Sequence, residues 1–356
     1  MTAQFWRGRK VLLTGHTGFK GTWLALWLRA WGAEVTGFSR DPDTDPSMFL
    51  LTRAGQDLRD MRGDVCELDA VLQAMEQSRA EIVLHLAAQS LVRRSYEDPL
   101  ETYATNVMGT ANVLEAVRRS PFVRAAVIVT SDKCYENRER APGYREDEPL
   151  GGADPYSSSK ACAELVAAAY RRSFFNDPSA ARIATARAGN VVGGGDWAQD
   201  RLIPDVFRAL LAGRAVEIRN PAATRPWQHV LDPLAGYLAL AEGLYERKPG
   251  LEDAWNFGPD DADPPTVAAV AETLLSGWDP PGRWTQAGAI GPHEARLLKV
   301  DSSKAKLRLG WRPRLDIQAA LAWTVAWYSG FKQGEDVREM TLKQIERYCA
   351  LIAPAR

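Results

Sequence analysis

The chain has 356 residues, of which 46% are hydrophobic, so it can bury a large core in two domains or in one core with an elaborated lobe. Lys and Arg number 44 against 45 Asp and Glu, which gives a formal net charge of −1. This balance excludes a global field that recruits nucleic acid or an anionic membrane. Any anionic ligand must therefore be held by a local cluster.

The cysteines and the start of the chain indicate where the protein works. Cys66, Cys134, Cys162 and Cys349 show neither the paired spacing of a metal site nor a dense disulfide framework, so we predict free thiols, a reducing compartment and no metal. The first ten residues lead directly into a strand-like segment without the apolar stretch of a signal peptide, and no later run is long enough to span a bilayer. We expect a cytoplasmic protein.

Strand-like and helix-like segments alternate through the first half of the chain. Strands are predicted at 10–13, 33–38, 82–86, 125–129 and 182–186, and the main helices at 22–31, 106–118 and 157–170. This alternation predicts an α/β fold, a doubly wound parallel-sheet Rossmann domain at 1–189. Glycines and prolines then interrupt the pattern, and 190–356 is predicted to be mainly a smaller C-terminal substrate-binding lobe, interleaved with the sheet.

A glycine-rich segment, V-L-L-T-G-H-T-G-F-K-G-T-W, joins the first predicted strand to the first helix. Gly15, Gly18 and Gly21 recur at three-residue intervals, which allows a tight turn that brings a pyrophosphate to the N–H groups at the helix start. A dinucleotide is the natural ligand of such a turn, although a glycine triplet also arises by chance. The G-x-x-G-x-x-G spacing resembles that of the extended short-chain dehydrogenases/reductases.

Later positions predict the rest of a cofactor site. Ser39 and Arg40 follow the second strand, where an acid binds the ribose hydroxyl of NAD and an arginine meets the 2′-phosphate of NADP. Asp64 ends another predicted strand and can accept from an adenine amino group, or it is an ordinary turn residue. We predict NAD, with NADP less favoured. The predicted cofactor set is Gly15, His16, Thr17, Gly18, Phe19, Lys20, Gly21, Ser39, Arg40, Asp64, Val65, Leu86, Ala87, Ala88, Gln89, Asn106, Tyr156 and Lys160.

A candidate catalytic set follows the glycine turn. Tyr156 and Lys160 stand at i and i+4 of a predicted helix, and a lysine ammonium beside a phenol favours the phenolate, so Tyr156 is expected to act as a base near neutral pH. Ser131 lies just beyond a strand and completes a set that removes a hydroxyl proton as hydride leaves carbon. Asp132 and Lys133 are either a second acid–base pair, as removal of water from a sugar requires, or a charged surface turn.

The chain closely resembles the nucleotide-sugar 4,6-dehydratases in segments spread nearly from end to end. These segments are T-G-H-T-G-F-K-G-T-W-L, H-L-A-A-Q-S-L-V-R-R-S, T-S-D-K-C-Y-E-N, D-P-Y-S-S-S-K-A, R-A-G-N-V-V-G-G-G-D-W, R-L-I-P-D and A-T-R-P-W-Q-H-V-L. The S-D-K at 131–133 resembles the CDP-sugar branch, since the dTDP-sugar branch looks like T-D-E there.

This resemblance implies a lyase that converts CDP-glucose to CDP-4-keto-6-deoxy-glucose and water through internal hydride transfer by NAD. Tyr156 would deprotonate the 4-hydroxyl while C4 gives up hydride, and Asp132 would protonate the departing C6 hydroxyl. Lys133 would help remove the C5 proton. Because a protonated ammonium is not a base, Lys133 would otherwise stabilise an enolate electrostatically.

The resemblance also implies a substrate site and an assembly. Arginines would engage the diphosphate by paired hydrogen bonds, although each arginine alone is as consistent with a structural or surface cation. The predicted substrate set is Gln89, Ser90, Asn190, Arg201, Leu202 and Arg225. His16 stands where dinucleotide binders commonly have a small residue, and it is expected to crowd the cofactor and loosen its hold. A homodimer or homotetramer is expected, with helices 106–118 and 157–170 pairing between subunits.

Two other functions stay open. A nucleotide-sugar 4-epimerase or reductase would share the glycine turn and the Tyr–Lys pair, but it would not need Asp132 and Lys133. A non-catalytic dinucleotide sensor would keep the same fold, because fold alone does not define function. The presence of Ser131, Tyr156 and Lys160 argues against a sensor.

Overall fold

Parallel strands and helices alternate through residues 2–140, 142–260, 264–288 and 297–353, which the computed structural model describes. The strands are β1 (Lys10–Thr14), β2 (Glu34–Ser39), β3 (Arg59–Arg62), β4 (Ile82–His85), β5 (Ala125–Val129), β6 (Arg182–Ala188), β7 (Val191–Val192), β8 (Val216–Ile218), β9 (Gln228–His229), β10 (Ala254–Phe257) and β11 (Trp284–Gln286). The helices are α1 (Ala3–Trp6), α2 (Phe19–Ala30), α3 (Met48–Leu51), α4 (Leu68–Ser78), α5 (Val92–Glu97), α6 (Pro99–Tyr103), α7 (Gly109–Arg119), α8 (Pro155–Phe174), α9 (Leu202–Leu211), α10 (Leu231–Tyr245), α11 (Val267–Ser276), α12 (Ser303–Arg308), α13 (Ile317–Gln333) and α14 (Val337–Ile352). Short 3-10 turns occupy Ala54–Asp57 and Asp132–Cys134, and a π-helical turn occupies Ala104–Met108.

Seven of these strands form one parallel sheet in the order β10-β6-β5-β4-β1-β2-β3. The chain first winds outward from β1 to β3, returns to pair β4 with the other edge of β1, and then winds the opposite way. This is the predicted doubly wound α/β fold. In such a sheet the crevice for a ligand lies beyond the carboxyl ends of the strands at the point where the order reverses, here between β1 and β4.

The predicted elements match the structure closely, with informative differences at their ends. Strand β5 has the predicted bounds, whereas α2 begins at Phe19, three residues before the predicted start, because the helix begins directly at the glycine turn. The helix predicted at 106–118 begins within the π-helical turn and continues as α7. Asp64 lies beyond the end of β3 rather than within it.

Strand β10 was not predicted, and it belongs to the second half of the chain. It pairs with β6 in the main sheet, and its side chains Trp255 and Phe257 are fully buried. The chain after residue 190 therefore contributes a strand to the same sheet as the glycine turn. The division at residues 189 and 190 stays a prediction.

Apolar side chains cover both faces of the sheet, as a parallel sheet with helices on either side requires. Along β1, Val11 and Leu13 pack into one core with α2 and the C-terminal helices, whereas Leu12 packs into the other with α4 and α7. Burying one such side chain contributes about 1.5–3 kcal/mol, so both layers hold the strand ends in place.

The late helix α13 anchors a loop that reaches the carboxyl end of the sheet. The Tyr328 ring stacks on Phe207 with centroids 3.9 Å apart, and its hydroxyl donates to the Asp196 carbonyl at 2.5 Å. A Cβ on Gly194 would lie 2.0 Å from the Trp327 ring, so glycine is required at this close approach. Packing in the second half of the chain therefore positions the 194–196 loop.

Two further features are the bonding state of the cysteines and the length and apolar character of the helices. All four cysteines are free of disulfide bonds, as predicted, and burial raises the pKa of the Cys134 thiol. Across the described ranges, no helix has both the length and the apolar character needed to cross a membrane.

Candidate active site

A cavity of about 1200 Å³ lies at the carboxyl end of the sheet and collects most of the predicted site residues. Its wall is formed by the glycine turn, the segments that follow β2, β4 and β5, the start of α8 and the start of α9. The predicted residues on this wall are Gly15, Thr17, Gly18, Phe19, Lys20, Gly21, Ser39, Arg40, Asp64, Val65, Leu86, Ala87, Ala88, Ser90, Ser131, Asp132, Lys133, Tyr156, Lys160, Asn190, Arg201, Leu202 and Arg225. The structure thus brings them together, and their individual roles stay predictions.

Gln89 and Asn106 lie behind the wall of the cavity instead of on it. The Asn106 amide accepts from the Gln89 backbone N–H at 2.9 Å and donates to the Gln89 carbonyl at 2.9 Å and to Ser159 Oγ at 2.8 Å. Gln89 Nε2 in turn donates to Thr102 Oγ1 at 2.9 Å. Both side chains therefore hold the segment after β4 against α8. Sequence alone did not distinguish such backing residues from lining ones, because both types occur within the same segment.

His16 also points away from the cavity. Its buried ring lies against Gly37 of β2, where a Cβ would stand 2.4 Å from the ring, and its Nε2 hydrogen-bonds Asp60 Oδ1 at 2.9 Å. Burial lowers the pKa of the imidazole and outweighs the Asp60 carboxylate, which acts in the opposite direction. The expectation that this side chain crowds the cofactor is therefore wrong, because the imidazole occupies the space that Gly37 leaves open.

The glycine turn forms a cradle that larger residues would fill. Gly15 has φ of +74°, and a Cβ on it would lie 2.6 Å from the Ala87 backbone nitrogen. A Cβ on Gly21 would lie 2.0 Å from the Gly15 carbonyl oxygen. The first N–H groups of a helix have no partner within it and carry partial positive charge. Because the cavity opens at the start of α2, these residues fit the pyrophosphate of a dinucleotide.

The end of β2 offers paired charges rather than a free arginine. Arg40 Nη1 donates to Glu101 Oε1 at 3.1 Å and lies 3.9 Å from Asp64 Oδ2. A guanidinium already shared by two carboxylates is poorly placed to bind a 2′-phosphate, which both carboxylates repel. The arrangement favours NAD. Sequence analysis did not identify Glu101, because it lies 61 positions from Arg40 and only the fold brings the two together.

Asp132 is the buried acid of the site. Its Oδ1 accepts from Ser131 Oγ at 3.0 Å and from Lys133 Nζ at 3.4 Å, and Lys133 Nζ also lies 3.4 Å from Asn190 Oδ1. The side chain is 1% exposed, and its Oδ2 has no hydrogen-bond partner among the described residues. An unsatisfied buried polar atom costs about 1–3 kcal/mol. This oxygen is itself buried and lies against Gly189, where a Cβ would stand 2.7 Å from it.

Tyr156 and Lys160 lie in the wall as predicted, but the phenol is not activated in the protein alone. Burial raises the pKa of Tyr156 to about 12, although a hydrogen bond with Ser131 lowers it. Lys160 Nζ donates to the Val129 carbonyl at 3.4 Å, and burial lowers the pKa of Lys160 to about 8. The expectation that Tyr156 acts as a base near neutral pH stays a prediction. A further positive charge beside the phenol would lower its pKa.

A buried ion pair supports the strand end beneath the catalytic set. Glu164 Oε2 accepts from Arg187 Nη2 at 2.9 Å and from Thr185 Oγ1 at 2.7 Å, and its Oε1 accepts from Thr130 Oγ1. Burial opposes the charge, but Arg187 and these hydrogen bonds outweigh it, so the pKa of Glu164 is lowered. Because Thr130 directly precedes Ser131, this pair positions the end of β5. Sequence analysis missed Glu164, although its i+4 spacing from Lys160 was an available signal.

Two predicted substrate arginines lie on the cavity wall. Arg201 Nη2 donates to Ser90 Oγ at 2.8 Å, and its Nη1 lies 3.2 Å from Asp196 Oδ2. This contact joins the segment after β4 to the start of α9. Arg225 Nη1 donates to the Thr224 carbonyl at 2.8 Å. The wall therefore carries guanidinium groups from two separate segments, and their binding of a diphosphate stays a prediction.

A Rossmann sheet with a glycine cradle after β1 and with Ser131, Tyr156 and Lys160 in the wall of the same cavity defines a dinucleotide-dependent enzyme of the extended short-chain dehydrogenase/reductase type. The sequence matches the NAD dependent epimerase/dehydratase family over residues 11–257, and the chain belongs to this family. Family membership confirms the predicted class of NAD-dependent enzyme.

Individual relatives agree with this assignment. The chain is 47% identical over 348 residues to the CDP-glucose 4,6-dehydratase of Salmonella typhimurium, with 97% of each chain covered. It is 30% identical to a dTDP-glucose 4,6-dehydratase of Streptomyces griseus, with 89% of this chain and 93% of the other covered. A structure of a double mutant of the dTDP-glucose 4,6-dehydratase from Streptomyces venezuelae, with NAD and DAU bound, supports the fold. It has a TM-score of 0.76 at 24% identity and covers 92% of this chain and 98% of the other.

Proposed function

We propose that the protein is a hydro-lyase that converts CDP-glucose to CDP-4-keto-6-deoxy-glucose and water, with NAD as an internal hydride carrier. The 47% identity to the Salmonella typhimurium enzyme supports this substrate and reaction. The observation that carries the proposal is the unpartnered Oδ2 of Asp132, which is buried in the cavity wall beside Ser131 and Lys133. A 4-epimerase needs no such acid, whereas loss of a hydroxyl as water does.

Each residue of the set then has a defined role. NAD held by the glycine cradle would supply the acceptor for the C4 hydride and its later return to C6, and its positive charge would lower the pKa of the nearby phenol. Tyr156 accepts the proton of the 4-hydroxyl, and Ser131 orients that hydroxyl. Asp132 donates a proton to the departing C6 oxygen. Lys133, which is 29% exposed and paired with Asp132, stabilises negative charge on the sugar electrostatically.

The substrate lies along the arginine side of the cavity. Arg201 and Arg225 bind the diphosphate, because a guanidinium can meet two phosphate oxygens at once. Ser90, Asn190 and Leu202 line the path between these arginines and Asp132. Gln89 supports that path from behind through its hydrogen bond to Thr102.

Purified protein is incubated with CDP-glucose, dTDP-glucose and GDP-mannose in turn, with and without added NAD+ or NADP+. The readout is the alkali-induced absorbance of a 4-keto-6-deoxy sugar. We expect turnover of CDP-glucose with NAD+ and little with the other donors. A product that keeps its 6-hydroxyl and has an inverted C4 would identify an epimerase instead. Absence of any product would favour the non-catalytic sensor.

We propose that the protein is a homo-oligomer that assembles through α7 and α8. Met108 is 57%, Leu165 is 58% and Phe174 is 49% exposed, and these side chains lie on α8 and on the turn that leads into α7. Large apolar side chains exposed on neighbouring elements suit a subunit interface. The molar mass of the native protein in solution, measured by light scattering, tests the proposal. Leu165→Asp is expected to shift this mass towards that of the monomer. A monomeric native protein would contradict it.

We also propose a cytoplasmic location. Four cysteines without a disulfide bond support a reducing compartment. Fractionation of cells that express the native chain tests this, and recovery in a membrane or secreted fraction would contradict it.

A further inference from the structure

Lys20 lies in the first turn of α2, directly after the glycine turn, and its side chain lines the cavity. Within the described part of the chain, its ammonium forms no hydrogen bond or ion pair. Lys133, the other lysine considered for proton removal, is bonded to Asp132 and Asn190. Lys20 is therefore the lysine of the two whose nitrogen is left open to a ligand.

The surroundings of Lys20 place it at the reaction end of the cavity. The charged groups that act on it are Arg201 at the start of α9, Lys160 on α8, and Asp132 and Lys133 in the 3-10 turn after β5. These groups belong to the catalytic set and to the proposed diphosphate site, and none of them lies in the segment that follows β2.

Packing at the start of α2 agrees with this placement. A Cβ on Gly193 would lie 3.3 Å from the ring of Phe19, the residue before Lys20. The first turn of α2 therefore packs against the segment that carries Asn190.

The environment also suits an amine that exchanges protons. Burial and the nearby charges of Arg201, Lys160 and Lys133 together lower the pKa of Lys20 to about 7, against the opposing effect of Asp132. A lysine with such a pKa has a neutral fraction at physiological pH and can accept a proton. Lys133 lies instead beside a carboxylate, which suits an electrostatic role.

We propose that Lys20 is a catalytic residue that removes the C5 proton of the 4-keto sugar and later returns a proton to C5. This inference rests on the proposed dehydratase function. The C5–H bond breaks and its electron pair becomes the enolate of the 4-keto group. The C6–O bond then breaks as Asp132 protonates the oxygen, and water leaves. Hydride taken earlier from C4 adds to C6, and the Lys20 ammonium protonates C5, so no external oxidant or reductant is required.

The test is Lys20→Met, compared with Lys133→Met as the matched lysine of the same cavity. Enzyme saturated with NAD+ is mixed with CDP-glucose, and NADH absorbance and keto-sugar formation are followed together. Lys20→Met is expected to oxidise C4 and to accumulate NADH, while product formation falls about 10²–10⁴-fold, the range for loss of a general base. Lys133→Met is expected to slow both steps without accumulating NADH.

Isotope and pH measurements separate catalysis from a structural effect. In D2O the native product carries deuterium at C5, and Lys20→Met is expected to slow this incorporation in proportion to product formation. In the native enzyme the elimination rate is expected to rise as pH increases through about 7, since the neutral amine is the active form. The arginine of Lys20→Arg keeps the positive charge but is not deprotonated near pH 7. The elimination rate of this variant is therefore expected not to rise with pH in this range.

Several outcomes would overturn the inference. Product formation by Lys20→Met within threefold of native at saturating NAD+, on the order of the change expected for a bystander, would remove Lys20 from the chemistry. Weak NAD+ binding with a restored rate at saturation would make Lys20 a cofactor-binding residue only. NADH accumulation in Lys133→Met instead would assign the base to Lys133. If Lys20→Met does not fold, Lys20→Arg and Lys20→Gln give the same comparison. Absence of keto sugar with the native enzyme would instead contradict the proposed function.

Discussion

Two acidic clusters meet at the carboxyl end of β5, and they differ in how many hydrogen bonds their carboxylate oxygens accept. Glu164 accepts from Thr130, Thr185 and Arg187, and both members of the Glu164–Arg187 pair are 3% exposed. Asp132 is buried to the same degree, but its Oδ2 has no partner in the described structure. The closed cluster maintains the fold, whereas the open one contains the carboxylate that we propose as the acid of the reaction.

The energetic difference follows from desolvation. A buried carboxylate is tolerated when hydrogen bonds and a counter-charge replace its water, as around Glu164. Asp132 retains an unsatisfied oxygen that costs about 1–3 kcal/mol, and packing around it offers no replacement. This cost in folding stability falls beside the glycine cradle and the lysines of the cavity. A local loss of stability is consistent with a site whose residues are arranged for substrate.

Asp132→Asn tests the open cluster and has the largest expected effect. The amide keeps the shape of the side chain but cannot give a proton to the C6 oxygen. We expect keto-sugar formation to fall about 10²–10⁴-fold, the range for removal of a general acid. The rate is measured by alkali-induced absorbance, and NAD+ affinity is measured alongside it and is expected to change little.

The control for this variant is the free energy of unfolding in denaturant. Because Oδ2 already lacks a protein partner, the change is expected to stay within about 1 kcal/mol, well below the loss expected for the closed cluster. A rate within tenfold of native would show that the unpartnered oxygen is not the acid.

Glu164→Gln tests the closed cluster, and its effect should appear in stability. It leaves the Arg187 guanidinium buried without a counter-charge, which costs about 3–5 kcal/mol when a buried pair is broken. Urea unfolding measures this loss. The double variant Glu164→Gln/Arg187→Met is expected to recover part of it, because no unpaired charge remains. An equal or larger loss in the double variant would contradict this account.

The same pair gives a pH dependence with a defined sign. The pKa of Glu164 is lowered in the folded protein, so its contribution is present above the unfolded value near 4.5 and is lost as pH falls through the folded value. The stability difference between native protein and Glu164→Gln is therefore expected to shrink on acidification. A difference that grows on acidification would contradict the assigned direction.

Sequence predicted the site where local pattern and topology suffice. The glycine turn and the strand before Ser131 are local, and a doubly wound sheet brings the carboxyl ends of its strands together, so Tyr156 and Lys160 were placed in the same cavity as Gly15.

Side-chain direction was less accessible from sequence. His16 turns towards Asp60 because of a contact that the motif does not contain. The partners Arg40 and Glu101 lie on separate elements, and β10 joins the sheet from the second half of the chain. Such contacts depend on tertiary packing between distant segments.

The cluster of Arg40, Glu101 and Asp64 is intermediate between the Glu164 cluster and the Asp132 cluster, since its charges are paired but partly exposed. Exposed ion pairs contribute only about 0–1 kcal/mol, so Glu101→Gln is expected to raise NADP+ affinity relative to NAD+ by about fivefold at most. The physical reason is that one of the two carboxylates that occupy Arg40 and repel a 2′-phosphate is removed. Dissociation constants for both cofactors measure the ratio, with Glu115→Gln on α7, outside the cavity wall, as the control. If the ratio of NADP+ to NAD+ affinity changes equally in both variants, or shifts towards NAD+, Arg40 does not distinguish a ribose hydroxyl from a 2′-phosphate.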